Sequence, residues 1–307
     1  MDFPSLIKEL GRGARGARDL SREQAEALFG AMLDGQVPDM ELGALLIALR
    51  VKGESADEVA GFLAALQART RSLQAPPGPR TVLLPSFNGA RKQANLMPLV
   101  ALLLAREGVP VLIFGRHDFD SRVSPFELLD ALGLPASASL EDASQRLRRD
   151  RVAVLPLHQL NPGLDALMAL RPRLGVRNSA HSLAKLLDPF PAGRSVRVVA
   201  VTHPEYLDSM GAALPGLTVS GGRALLMRAS EGEAYAHLRR KAHLIGFQDG
   251  QTAPLHAADT ADLDEPLSPA CEPAANAALV RAMLAGDAPV PLRIAEQVAA
   301  LKLLATN

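Results

Sequence analysis

The sequence predicts an α/β protein in which a small all-helical domain accompanies a larger domain with a mostly parallel sheet flanked by helices. In the first 70 residues, apolar side chains recur only at helical spacing. A stretch rich in proline and glycine follows, and it predicts a hinge near residues 74–80. Beyond the hinge, short apolar runs alternate with helical stretches. Alternation of this kind is typical of a parallel sheet covered by helices.

The N-terminal part is predicted to contain four helices, at residues 3–10, 22–33, 40–51 and 56–68. Ser21 and Ser55 each stand just before acidic residues, which is typical of a helix N-cap. Residues 158–187 lack a clear strand pattern and are also predicted to be helical, packing back on the N-terminal helices. The predicted domains are therefore a helical domain of residues 1–73 and 158–190, and an α/β domain of residues 80–157 and 191–307.

Five strands are predicted in the α/β domain, at residues 81–84, 109–114, 152–155, 196–201 and 223–228. The longest apolar run, residues 96–105, is predicted to be a helix that follows the first strand. A last helix is predicted at residues 294–304. Between these elements, residues 248–273 are predicted to be irregular.

The chain carries 33 basic and 33 acidic residues, and the two kinds of charge are segregated. Residues 59–106 and 166–187 contain Lys and Arg but no Asp or Glu, whereas residues 242–280 contain acids but no Lys or Arg. Segregation of this kind produces a basic face on a neutral protein. The low aromatic content, with no Trp and two Tyr, argues against a base-stacking platform.

The single cysteine, Cys271, excludes an intramolecular disulfide and suits a reducing compartment. The N-terminus lacks the pattern of a signal peptide. The run at residues 96–105 is far shorter than the roughly 20 residues that span a bilayer. We therefore expect a cytoplasmic protein with no membrane partner.

The most informative stretch is the loop at residues 85–92, which lies between the first predicted strand and the helix after it. A loop that opens a helix presents free backbone N–H groups and the positive end of the helix dipole, which together favour phosphate. This loop adds two adjacent cations, Arg91 and Lys92, and has no acidic residue with which to hold a metal. The sequence thus predicts a loop that attracts phosphate but has no evident group with which to catalyse a reaction of that phosphate.

Three longer strings carry a resemblance to a known family: residues 20–66, SFNGARKQANL at residues 86–96 and LGVRNSAHSLAKL at residues 174–186. The first resembles the helical domain of anthranilate phosphoribosyltransferases and nucleoside phosphorylases. The other two, with HPEY at residues 203–206 and GGRALLM at residues 221–227, resemble the YbiB-type branch of that superfamily. The resemblance implies dimerisation through the helical domain, and binding of DNA and RNA with little sequence preference.

Against the transferase pattern, the loop has lost its enzymatic features. The acid that ends the enzymes' diphosphate loop is replaced by Gly89, and flexible glycines are replaced by Pro85 and Phe87. A bulky Phe87 is expected to block a diphosphate from the backbone. The enzymes' magnesium-binding Asp-Glu pair falls at about residues 234–235, with Glu231 and Glu233 as weak metal candidates nearby.

The leading hypothesis is a homodimeric, catalytically degenerate scaffold that binds DNA and RNA through phosphates, without a cofactor and without catalytic residues. Its candidate contacts are Asn88, Arg91, Lys92, Asn95, Arg116, Arg171, Arg173, Arg177, His181 and Lys185. One alternative is an active phosphoribosyltransferase with an altered acceptor, which would need Mg²⁺ held by Glu231 or Glu233. Another is a protein-interaction dimer that recruits a partner through the acidic residues 248–273.

Overall fold

The computed structural model describes residues 1–13, 16–117, 122–202, 205–255, 263, 266 and 272–307. The chain forms two compact units, Met1–Arg71 with Leu157–Pro189, and Ser72–Pro156 with Phe190–Asn307. The first unit is a helical bundle and the second is an α/β domain, which confirms the predicted fold class. Within the described residues, no helix is both long and apolar enough to cross a membrane.

Fourteen α-helices, seven strands and one 3-10 helix are present in the described parts of the chain. In chain order they are α1 (Phe3–Leu10), α2 (Arg22–Leu33), α3 (Asp39–Lys52), α4 (Ala56–Arg69), β1 (Thr81–Ser86), α5 (Met97–Arg106), β2 (Val111–Gly115), α6 (Pro125–Ala131), α7 (Leu140–Arg149), β3 (Val152–Pro156), α8 (Leu157–Leu160), α9 (Pro162–Ala169), α10 (Arg171–Leu174), α11 (Ala180–Leu183), the 3-10 helix Ala184–Leu186, β4 (Ser195–Val201), α12 (Glu205–Leu217), β5 (Arg223–Arg228), β6 (Ile245–Gln248), β7 (Gln251–Pro254), α13 (Pro273–Ala285) and α14 (Leu292–Thr306).

Serine caps begin two of the helices in the first unit. Ser21 and Ser55 each accept a backbone N–H three residues on, and in both capping boxes a side chain returns a bond to the backbone N–H of the cap. In the second box that side chain is Glu58, which is fully buried and also accepts from the N–H of Leu20. Helices α2 and α4 are thereby joined at their N-terminal ends.

The sheet of the second unit has the strand order β3-β2-β1-β4-β5-β6-β7. Pairing is parallel from β3 to β5 and antiparallel at β6 and β7. Every residue of β1 is buried, because the strand is central and both faces of the sheet are covered. One face packs against α5 and α14, and α13 packs on α5, in a continuous apolar core.

Parallel pairing places the carboxyl ends of β1, β2 and β5 at the same edge of the sheet. Three connecting segments leave the sheet there: residues 87–96 after β1, the segment after β2, of which residues 116–117 and 122–124 are described, and residues 229–244 after β5. This edge is where ligands bind in open parallel sheets. Segments that are far apart in the sequence are therefore neighbours at this edge.

The prediction of an irregular segment from residue 248 is wrong at the hairpin of β6 and β7. Asp249 and Gly250 connect the two strands with φ of 50° and 76°, which is the backbone of a tight hairpin turn. An Asp-Gly pair is a known signal for such a turn, but the flanking strands have only four residues each. The rest of the acidic segment, including Cys271, lies largely outside the described residues.

Close packing of α2 on α4 depends on Gly61. A Cβ at this position would lie 2.3 Å from the carbonyl oxygen of Arg22. We expect Gly61→Ala to lower the free energy of unfolding by about 1–3 kcal/mol, because a backbone clash outweighs the gain in helix propensity. Urea denaturation measures the change.

The matched control is Gly211→Ala in α12, where the nearest atom to an added Cβ is 3.8 Å away. That variant is expected to be neutral or more stable by up to about 1 kcal/mol. Equal effects of the two substitutions would contradict the packing argument.

Candidate functional site

The residues from Ser86 to Lys92, here called the donor loop, leave β1 at the carboxyl edge of the sheet. Ala90 and Val123 form an isolated antiparallel bridge, with N···O distances of 3.0 and 2.8 Å, that holds the loop against the segment after β2. The loop does not open a helix directly, because α5 begins at Met97, five residues beyond Lys92. The expectation that a helix dipole supports this loop is therefore wrong.

The donor loop surrounds the carboxyl group of Glu233, which is fully buried. The Ser86 hydroxyl donates to Glu233 Oε2 at 2.6 Å. The backbone N–H groups of Phe87 and Asn88 donate to Oε1 at 3.1 and 2.9 Å. Three donors from consecutive residues thus converge on one buried side chain that belongs to the segment after β5.

A second carboxylate, that of Glu231, occupies the far end of the donor loop. It accepts the backbone N–H groups of Arg91 and Lys92 at 3.0 and 2.8 Å, both on Oε1. Arg122 approaches the other oxygen at 3.4 Å and also lies 3.4 Å from the carbonyl oxygen of Gly89. The basic loop is therefore neutralised in part from within the protein.

Residues 230–233, here called the carboxylate turn, present both acids on one side of the chain. Glu231 and Gly232 have φ of 52° and 83°, in the left-handed region that an ordinary residue enters at a cost of about 1–2 kcal/mol. Gly232 also packs closely, since a Cβ there would lie 2.7 Å from the side-chain nitrogen of Asn88. Glycine is therefore required between the two acids.

Burial raises the pKa of Glu233 above that of an ordinary glutamate. The hydrogen bonds from Ser86 and from the loop backbone oppose this rise, because they stabilise the charged form. Burial also raises the pKa of the Tyr235 hydroxyl, and the nearby charges of Glu233 and Glu231 raise it further. The two carboxyl groups and the phenol therefore lie close enough to influence one another.

These contacts correct two expectations about the loop. The donors expected to attract phosphate already bind the side chains of Glu231 and Glu233. Phe87 is not the obstacle to a diphosphate, because its ring is buried at a centroid distance of 6.1 Å from that of Phe114. The obstacle is the pair of acids.

Glu231 and Glu233 do not fit a magnesium site. Mg²⁺ needs carboxylate oxygens that are free to coordinate in octahedral geometry, and three of the four oxygens here accept N–H or O–H bonds while the fourth faces Arg122. Among the described residues, no group of three or more His, Cys, Asp or Glu side chains could hold a metal ion.

The predicted contact residues of the second unit lie in different environments. Arg91 and Lys92 have exposed side chains, and Arg116 is half-buried with its N–H donating to the Ser86 carbonyl. Asn88 is buried. Asn95 is completely buried, where its amide donates to the Val123 carbonyl and accepts the N–H of Met97, so it supports the loop from inside.

The predicted residues of the first unit follow α9. Arg171, Arg173 and Arg177 are exposed, and Arg173 lies 3.3 Å from Asp39, itself exposed. Lys185 is half-buried. His181 is buried, with Nδ1 3.2 Å from the side-chain oxygen of Asn178. This contact stabilises the segment from within.

Sequence reasoning missed Arg122, whose guanidinium connects the donor loop to the carboxylate turn. It also considered Glu231 and Glu233 only as weak metal candidates, whereas both bind the backbone of the donor loop. The alternation Glu-Gly-Glu directly after a predicted strand was the available signal. Nothing in it shows which loop the acids contact.

Comparisons with known proteins agree with this architecture. Residues 4–70 match the family model described as the glycosyl transferase family, helical bundle domain. The chain is 41% identical over 302 residues to the uncharacterized protein YbiB of Escherichia coli strain K12, covering 97% of this chain and 93% of that protein.

Two solved anthranilate phosphoribosyltransferases have a similar fold. The enzyme TrpD of Thermus thermophilus superposes with a TM-score of 0.74 at 25% identity, covering 100% of this chain and 95% of that one. The Saccharomyces cerevisiae enzyme in complex with PRPP and Mg has a TM-score of 0.74 at 16% identity, covering 99% of this chain and 86% of that one. At 16% identity, the similarity to the Saccharomyces cerevisiae enzyme concerns the fold alone.

Replacing Glu233 with glutamine tests whether burial raises the pKa of this carboxyl group. A carboxyl group whose pKa is raised by folding stabilises the folded state fully below its unfolded pKa, about 4.3, and this contribution is lost as pH rises through the folded pKa. Glutamine offers similar hydrogen bonds without titrating. The free energy of unfolding of the wild type is therefore expected to fall relative to that of Glu233→Gln over the pH range above the unfolded pKa of about 4.3. Urea denaturation across that range checks this, and a constant difference would contradict it.

Proposed function

Because the chain belongs to the YbiB family of anthranilate phosphoribosyltransferase-like proteins, we propose that it binds DNA and RNA through their phosphates, with little sequence preference. The observation that carries this proposal is the donor loop, in which backbone groups face inward and cationic side chains face solvent. The polymer backbone, and not a small diphosphate, is the expected ligand.

The contact residues in the second unit are Arg91 and Lys92. Glu231 binds their backbone N–H groups, which fixes the course of the chain while both side chains stay exposed. Exposed Lys and Arg neutralise phosphates and release counterions, which produces affinity that is independent of sequence and falls with salt. Arg additionally binds phosphate through two parallel N–H groups.

A second set of proposed contacts consists of cations in the first unit. Arg171, Arg173 and Arg177 are exposed within residues 166–187, which contain no acidic residue. An exposed ion pair such as Arg173 with Asp39 is worth little in water, so a phosphate can compete with it. We leave Asn88, Asn95 and His181 out of the contact set because all three are buried.

The chemistry available at the site supports binding without transfer. Phosphoribosyl transfer of the kind named in the related enzymes would need a cation at the diphosphate, and the two acids nearest the donor loop are occupied by its N–H groups. A saturable rise in melting temperature with PRPP and Mg²⁺ would instead favour the transferase alternative, since a ligand of the folded state stabilises it.

Dimerisation belongs to the same proposal. Met40, Ile47 and Val51 are 79%, 38% and 67% exposed and lie on one face of α3, while Leu45 and Leu49 of the same helix are buried. A second copy of this chain is the expected occupant of that face, as the family resemblance implies. Two copies double the number of phosphate contacts and thereby raise avidity.

Charge reversal tests the nucleic-acid proposal. Wild-type protein is expected to shift a single-stranded or duplex oligonucleotide in a gel at low salt. Arg91→Glu with Lys92→Glu is expected to weaken binding about tenfold or more, and to reduce the slope of log affinity against log salt by roughly 1–2. Fluorescence anisotropy at several salt concentrations measures both quantities.

The control is Arg148→Glu with Arg149→Glu on α7, which changes the net charge equally on a helix that also carries acids. This control is expected to retain most of the affinity. The proposal fails if wild-type protein does not bind at low salt, or if both variants lose affinity to the same extent.

Oligomeric state is tested with Ile47→Glu and Val51→Glu together. Charges in a buried apolar interface are costly, so the mass measured by light scattering is expected to fall from a dimer to a monomer. The control is Leu292→Glu with Leu303→Glu, which alters two exposed leucines of α14 and is expected to leave the mass unchanged. A monomeric wild type would remove the dimer from the proposal.

A further inference from the structure

The contacts between the donor loop and the carboxylate turn have the composition of an occupied oxyanion site. One hydroxyl and four backbone N–H groups, all from Ser86 to Lys92, donate to the carboxyl oxygens of two acids. Consecutive backbone N–H groups at the carboxyl edge of a parallel sheet are a recurrent means of binding phosphate. The donors form two groups, one around the carboxyl group of Glu233 and one around that of Glu231. Each group is arranged to bind anionic oxygens.

Placing these two acids at the donor loop costs free energy of folding. Glu233 is removed completely from water, and a buried carboxyl group is expensive unless its hydrogen bonds are satisfied. Glu231 adopts a left-handed backbone, which a residue other than glycine seldom does. The donors of the loop offset these costs, with Arg122 adding a contact to Glu231, so the loop and the turn depend on each other.

We propose that Glu231 and Glu233 are an internal substitute for a diphosphate, and that the donor loop is a small-oxyanion site of the pyrophosphate class which this chain keeps filled with its own carboxylates. Removal of the two acids opens that site. Arg122, which lies against Glu231, then faces the bound anion. The inference is independent of whether the exposed cations bind nucleic acid.

The experiment uses Glu231→Ala with Glu233→Ala in the full chain, and inorganic pyrophosphate without metal as the probe. The double variant is expected to melt at a lower temperature than the wild type, because five donors lose their acceptors. Pyrophosphate is expected to raise that melting temperature saturably, and to bind in calorimetry with a Kd of about 1 mM or tighter. The wild type is expected to show neither effect.

Glu58→Ala is the matched control. Glu58 is also fully buried and also accepts backbone N–H groups, those of Leu20 and Ser55, beside Lys52. Its loss is expected to lower the melting temperature without creating a site that pyrophosphate fills. The inference is overturned if pyrophosphate stabilises the control as much as the double variant, stabilises the wild type, or stabilises none of the three.

A single variant keeps the test decisive if the double variant does not fold. The side chain of Glu231 is 10% exposed and lies nearer the surface than that of Glu233. Glu231→Ala therefore opens the outer half of the site, at the N–H groups of Arg91 and Lys92, and leaves the inner half intact. Folded Glu231→Ala protein is expected to bind inorganic phosphate or pyrophosphate, and binding of neither would overturn the inference.

Discussion

The hydrogen bonds of Glu233 to the donor loop are the interaction on which the carboxyl edge of the sheet depends. Ser86 and Glu233 are 147 residues apart in the chain, so their contact joins the loop after β1 to the turn after β5. The loop contains two adjacent cations, and its N–H groups would be unpaired without an acceptor. The buried acid supplies the acceptor for the start of the loop, and Glu231 holds the end that carries the two cations.

This arrangement shows why the backbone N–H groups of this loop are not available to a ligand, although the scaffold is transferase-like. The fold alone does not determine function, and the same sheet edge serves whichever ligand its loops accept. Here the backbone N–H groups are used internally, while Arg91 and Lys92 remain outside. Binding that relies on exposed cations suits a polymer of phosphates, because each contact is weak alone and several act together.

Local rules accounted for most of the fold. Ser21 and Ser55 predicted helix starts because capping is a property of a few adjacent residues, and both capping boxes form. Apolar runs predicted the five parallel strands to within two residues of their observed starts, because a strand buried on both faces must be apolar. The β6–β7 hairpin was missed because short strands at the edge carry little apolar signal.

The sequence by itself determined the fold class, the position of the loop after β1 and the segregation of charge that makes a basic surface possible. Only the tertiary structure showed which groups accept the N–H donors of the loop, namely the carboxyl groups of Glu231 and Glu233. Glu231 and Glu233 had no assigned partner in the sequence, and an acid near a loop is equally compatible with a metal, a solvent-exposed turn or a backbone contact. Parallel pairing brings the ends of β1 and β5 to one edge, and this long-range proximity, absent from any local pattern, converts two metal candidates into acceptors for the donor loop.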